Sequence, residues 1–288
     1  MNKIGMQSNA YTSNNEFGID FLSFKNNEID SLDYQEFISS NSKLYKMDEN
    51  ELINYLTKLK LEAHKHNLII NQLHSLWDPS FLIHNPEIDI FPYYKKAILG
   101  AAILGAKYVV IHPIAPKGMS LSDRSLTDEI LFNINIKFFN ELKNYAKEKN
   151  VKIAIENLPF TNVEHFFSPS GTLELVNSFN DDYIVMCLDT GHFNIYQEDI
   201  YDFLIKGKDK VKYLHIHDNN GDKDAHMFPF RGTFNWEKFT KGIKDINFSG
   251  VLSLETFAKK ENVSVEEYNK LNKEVTDSIK RIRDMVAQ

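Results

Sequence analysis

Val151-Lys152-Ile153-Ala154-Ile155-Glu156-Asn157 is a short apolar run that stops on a carboxylate. A charge at the end of a buried strand is costly unless something compensates it, so Glu156 needs a chemical reason. The same design recurs on both sides of it. Downstream, Cys187-Leu188 leads to Asp189, Leu214 leads to His215-Ile216-His217, and Leu252-Ser253-Leu254 leads to Glu255. Upstream, Ile69-Ile70-Asn71-Gln72-Leu73 leads to His74, and Val109-Val110-Ile111 leads to His112. Six successive runs end in a side chain able to ligate a hard or borderline metal.

Apolar runs at 3–7, 19–24, 68–73, 108–111, 151–155, 183–188, 211–216 and 251–254 have the length and composition of strands buried on both faces of a parallel sheet. Amphipathic stretches at 48–66, 86–105, 128–149, 171–179, 198–206, 236–245 and 264–286 fill most intervals. Asp48 is placed to cap the first of these, and Gly105 to stop the second. The interval 8–18 carries the weakest helix signal. Eight strands, nearly all followed by a helix, predict an α/β fold, a single (β/α)8 TIM barrel occupying 1–288 as one domain. Active sites of such barrels lie at the C-terminal strand ends, where these six side chains fall.

Composition narrows the function. The chain has 288 residues, 42% hydrophobic, with formal charge −7, and only four of its 33 basic residues are arginines. Acidic balance and scarce arginine argue against nucleic acid as a partner. No apolar run is long enough to span a bilayer, and the N-terminus lacks a signal-peptide core, so a cytoplasmic protein is expected. The single cysteine, Cys187, excludes an internal disulfide and reads as an inert buried thiol. The many aromatic residues leave room for a homo-oligomeric interface.

Glu156, Asp189 and Glu255 at one barrel mouth repel one another unless a cation joins them or their pKa values rise. Their oxygen and nitrogen neighbours suit Mn, Mg, Co or Zn. Ile155-Glu156-Asn157, Leu188-Asp189-Thr190-Gly191-His192, Leu214-His215-Ile216-His217-Asp218-Asn219 and Ser253-Leu254-Glu255 resemble the xylose isomerase-like barrel superfamily, and within it the sugar phosphate isomerase/epimerase group. The stretch from His226 through Pro229 and Gly232 to Trp236 resembles that group's His-x-x-Pro-x-x-Gly loop.

The resemblance implies one divalent metal ion held by Glu156, Asp189, His215 and Glu255. It also implies that Glu156 and Glu255 shuttle a proton on opposite faces of a small sugar, sugar phosphate or polyol through a metal-stabilised cis-enediolate. His192 and Arg231 would contact substrate oxygens, with Trp77 and Phe160 as an apolar wall. His74, His112 and His226 complete the expected substrate contacts.

Two rivals share the superfamily. A dehydratase or other lyase would use the same metal cage. An endonuclease IV-type apurinic-site endonuclease would use three zinc ions, with candidates at His74, His112, Glu156, Asp189, His192, His215, Asp224, His226 and Glu255. Against it stand Ser75-Leu76-Trp77-Asp78-Pro79, unlike that class, glycine at Gly191 where cysteine is usual, and the scarcity of arginine. A non-catalytic ligand-binding barrel is a third class. Asp224 reads as a solvated loop acid, His217 as a residue behind the ligands, and Gly191 as the freedom that turns His192 inward. Specificity is expected in the loops 75–84 and 114–122.

Overall fold

The computed structural model describes residues 1–288 apart from Glu164, Lys260 and Asn262. Strands β1 (Ile4–Gln7), β2 (Ser31–Tyr34), β3 (Ile69–His74), β4 (Tyr108–Ile111), β5 (Lys152–Glu156), β6 (Ile184–Asp189), β7 (Val211–His215) and β8 (Leu252–Leu254) form one parallel sheet. Their order is β7-β6-β5-β4-β3-β2-β1-β8. Between β7 and β8, the bridge seen among the described residues pairs Ile216 with Leu254. There Ile216 N–H donates to Ser253 O at 2.8 Å and Glu255 N–H donates to Ile216 O at 3.0 Å. The sheet thus closes into the expected (β/α)8 barrel at its C-terminal rim, and the seam sets His215 beside Glu255.

Side-chain alternation explains what lies inside. Ile153, Ile155, Met186, Leu188 and Leu214 pack outward in the main core, against the helices. Val110, Ala154, Cys187 and Tyr213 belong to a separate small cluster. Each stands two residues before a rim side chain (His112, Glu156, Asp189 and His215 respectively), so both point into the barrel. Neighbouring registers pair Asp189 with His215 at one level and Glu156 with Cys187, one inward step deeper than Asp189.

One expectation fails and one shifts. Residues 19–24 are not a strand: Asp20 caps helix Phe21–Asn26, whose Phe21 and Phe24 share the buried face. β2 is Ser31–Tyr34 instead, inconspicuous because Ser31 and Asp33 point inward and are fully buried. The helix expected over 86–105 starts later than that range and stops where expected. Helix Phe91–Leu104 follows a separate short helix, Pro79–His84, and ends at Gly105 in the left-handed region at φ 78°. Helix Glu49–Lys65 begins at Asp48 as expected, with a reciprocal Asp48–Glu51 capping box. No helix among the described residues is long and apolar enough to cross a membrane.

Candidate metal centre

Four consecutive strands supply the centre. Glu156 ends β5, Asp189 ends β6, His215 ends β7 and Glu255 follows β8, and one ligand atom from each lies within 4.8 Å of the others. Glu156, Asp189 and His215 are buried, and the Glu255 side chain is 11% exposed. His215 Nδ1 stands 3.2 Å from both Glu156 Oε2 and Glu255 Oε2. Neither His215 Nδ1 nor Glu255 Oε2 has a hydrogen-bond partner, although both atoms are buried.

The electrostatics point the same way. Burial disfavours charge on His215, yet Cys187, Glu255 and Glu156 around it raise its pKa well above the ordinary value. Burial pushes Glu255 up, but the neighbouring His215 charge brings it down to about 2. For Asp189, burial prevails and the pKa is raised. Three carboxylates and an unpartnered ring nitrogen converging in a largely buried mouth are a donor set that fits one divalent cation.

The predicted neighbours divide into two groups. His112 Nε2 lies 3.0 Å from Glu156 Oε2, and His74 Nε2 lies 3.6 Å from the same oxygen. His74 Nδ1–H donates to Ser75 O at 2.9 Å, which leaves Nε2 as the acceptor facing the site. Burial lowers the His112 pKa to about 4. The Trp77 ring packs edge-on against His112 at 4.3 Å between centroids, with Phe160 6.5 Å from Trp77. His74, His112, Trp77 and Phe160 are thus brought together on the Glu156 side of the mouth.

On the other side, His192 N–H donates to Asp189 Oδ1 at 2.6 Å, and its Nδ1–H donates to Asn157 O at 2.8 Å. Asp224 is not a free solvated acid. Its Oδ2 lies 3.2 Å from both His192 Nε2 and His226 Nε2, and those two rings hold its pKa far below the carboxylate range despite burial. Against burial, Asp189 and Asp224 raise His192 to about 10, and Asp224 and Glu255 raise His226 to about 9. His226 is stacked on His217 at 4.1 Å, and its Nδ1–H donates to Glu255 O at 2.9 Å.

Arg231 is not brought to the centre. Its guanidinium makes a two-pronged pair with Glu274 at 2.6 and 2.7 Å, on an exposed surface beside the C-terminal helix Val265–Ala287. Gly191 has a different reason from the one expected. It lies inside helix Thr190–Tyr196, and a Cβ there would sit 1.9 Å from His217 Cε1. His217 uses that space to donate from Nε2 to Asp189 Oδ2 at 2.9 Å.

Three contributors escaped the sequence reading. Gln7 Nε2 donates to Glu255 Oε1 at 3.3 Å, and the strand-end rule, extended to β1, points to it. Gln72, two residues before His74, lies 3.2 Å from His215 Nε2. Asp218 organises the following loop, accepting from Asn219 N–H, Phe234 N–H and Trp236 Nε1–H. Only the inward period of two signals Gln72, and it gives no partner; Asp218 is out of phase with it.

A family model described as xylose isomerase-like TIM barrel matches residues 30–285. An uncharacterised protein of Sinorhizobium fredii is 32% identical over 166 residues, 56% of this chain and 51% of that protein. An inosose isomerase of Bacillus subtilis is 27% identical over 178 residues, 59% of this chain and 60% of the enzyme. The chain thus matches less than two-thirds of the length of either relative. A crystal structure of the IOLI protein with a bound zinc atom superposes with a TM-score of 0.70 at 21% identity, covering 99% of this chain and 98% of that one.

Proposed function

The chain belongs to the xylose isomerase-like TIM barrel family, and on that premise we propose that it is a divalent-metal-dependent isomerase or epimerase of a small sugar, sugar phosphate or polyol. One observation carries the reading: Glu156, Asp189, His215 and Glu255 converge from four consecutive strands, with the two glutamates at the two ends of the arc. The similarity to an inosose isomerase and the zinc in a protein of the same fold support it.

A divalent ion held by Glu156, Asp189, His215 and Glu255 would supply the positive charge that acidifies a C–H bond beside a carbonyl. The protein supplies the rest. Glu156, steadied through Oε2 by His112, removes that proton from one face. Glu255, steadied through Oε1 by Gln7, returns a proton from the other. His192 and His226 hold the Asp224 carboxylate between them at the edge of the mouth, where it can accept from substrate hydroxyls. Trp77 and Phe160 shield the mouth from water.

The test is metal content per chain by elemental analysis, followed by wash-in of solvent deuterium into ketoses. About one tightly held ion, with deuterium wash-in lost in Glu255→Gln, is the expected result. Full wash-in with Glu255→Gln would remove the two-carboxylate scheme.

A second reading is favoured by a separate observation. His74, His112 and Glu156 form one further group of potential ligands, and His217, Asp224 and His226 form another. Three such groups are what an endonuclease with three zinc ions needs. Close to three zinc ions per chain would move the test to abasic-site DNA. A lyase on a sugar-derived substrate would keep one ion but release water or a fragment from the substrate.

A further inference from the structure

Beside the metal centre lies a cavity of roughly 460 Å³, walled by the segments 77–91 and 112–121 and floored by helix Asp128–Glu148. It shares Trp77, His112 and Phe160 with the candidate site. Since His112 reaches Glu156 at 3.0 Å, the cavity begins one side chain away from a proposed proton-transfer group.

Its chemistry differs from that of the centre. The interior is set by half-buried apolar side chains, among them Leu82, Ile83, Ile88, Ile114 and Met119. Its charged residues, such as Glu87, Asp89, Lys117 and Lys137, are all exposed and form the rim. A sugar ring pushed into this space would trade water for partners that cannot hydrogen-bond to its hydroxyls. A volume in this range, mostly apolar and joined to a few polar groups, is typical of a small-molecule pocket. The walls are stiffened by Pro79, Pro86, Pro113 and Pro116, so the space is largely preformed.

We propose that the substrate is a sugar or polyol with a free keto group and, on another carbon, an apolar substituent, an aryl or alkyl group in glycosidic or ether linkage, which occupies this cavity while the polar ring faces the metal centre. The inference deepens the isomerase reading and rests on it. It gives the loops 75–84 and 114–122 a shared purpose, since both contribute walls to one space.

The experiment titrates metal-loaded protein by calorimetry with D-glucose, phenyl β-D-glucopyranoside and octyl β-D-glucopyranoside. The glycosides are expected to bind at least tenfold more tightly than the sugar, and Leu82→Asp and Met119→Asp should each erase that advantage without changing metal content. Equal binding of sugar and glycosides overturns the proposal, as does an advantage that survives both substitutions. Dissociation of a dimer by Met119→Asp, with no change in glycoside binding, would assign the cavity to a second copy of the chain instead. Deuterium wash-in into an unsubstituted ketose separates the two readings. Wash-in without glycoside preference sinks this inference alone. Glycoside preference in a protein that binds no metal sinks the isomerase reading.

Discussion

The Gln72 amide lies 3.2 Å from His215 Nε2, on the side of the ring opposite the two glutamates, and Gln72 Oε1 is buried without a partner. Metal ligation through Nδ1 requires the proton on Nε2, and that proton needs an acceptor. Turning the amide over presents Oε1 to Nε2–H, and the two ends of an amide are interchangeable in shape. Gln72 is therefore a positioning residue for the ligand. Gln72→Leu should weaken metal binding about 10–100-fold, with Gln72→Glu restoring most of it, as read by competition with a chelator. Unchanged affinity in the leucine variant would show that the ring is oriented without Gln72.

Gly191 and His217 make a second testable pair. Alanine inside a helix normally gains up to about 1 kcal/mol over glycine. Here the added methyl meets the His217 ring at 1.9 Å, and that ring is fully buried and tied to Asp189. Gly191→Ala should lower stability by about 1–3 kcal/mol and loosen metal binding at Asp189 as well. A thermal melt showing the variant equal to or above the parent would mean that the His217 ring moves aside at no cost.

Which features were readable in the sequence follows from what each residue packs against. Glu156, Asp189, His215 and Glu255 interrupt apolar strands, and a charged or imidazole side chain at the end of a buried run stands out by contrast. β2 did not, because Ser31 and Asp33 are its inward residues, and Asp33 is satisfied by the Tyr213 and Ser253 hydroxyls from strands far away in sequence. Asp224 looked solvated because its loop is polar, and only the return of His192 and His226 to the same spot makes it part of the site. Arg231 looked like an oxygen ligand because its loop resembles a substrate loop, yet Glu274, 43 residues on, holds its guanidinium. Long-range polar partners are what the local pattern lacks.

His226 discriminates between the two functional readings. Its side chain is 43% exposed and reaches the Asp224 carboxylate and, through Nδ1–H, the Glu255 backbone carbonyl rather than its carboxylate. His226→Ala should leave the principal ion in place and weaken capture of a polyhydroxy substrate, raising KM several-fold with a smaller change in kcat. Elemental analysis of the variant checks this directly. Loss of a distinct bound ion would instead favour the three-metal arrangement.

Asp33 gives a pH signature that is read in the metal-free protein. Burial pushes its carboxyl from 3.8 to about 6, although His215, Ser253 and Tyr213 all pull it down. An acid whose pKa is raised in the folded chain is ionised more easily in the unfolded chain. Its contribution to stability is therefore present below about pH 4 and lost as pH rises through about 6. Asp33→Asn cannot ionise, so its stability relative to the parent should improve between pH 4 and pH 7 by up to about 3 kcal/mol. Urea unfolding of both proteins across that range provides the measurement, and taking the difference cancels the titration of other groups. A difference that stays constant with pH would mean that Asp33 ionises in the barrel as readily as in water, with its two hydroxyl donors fully compensating its burial.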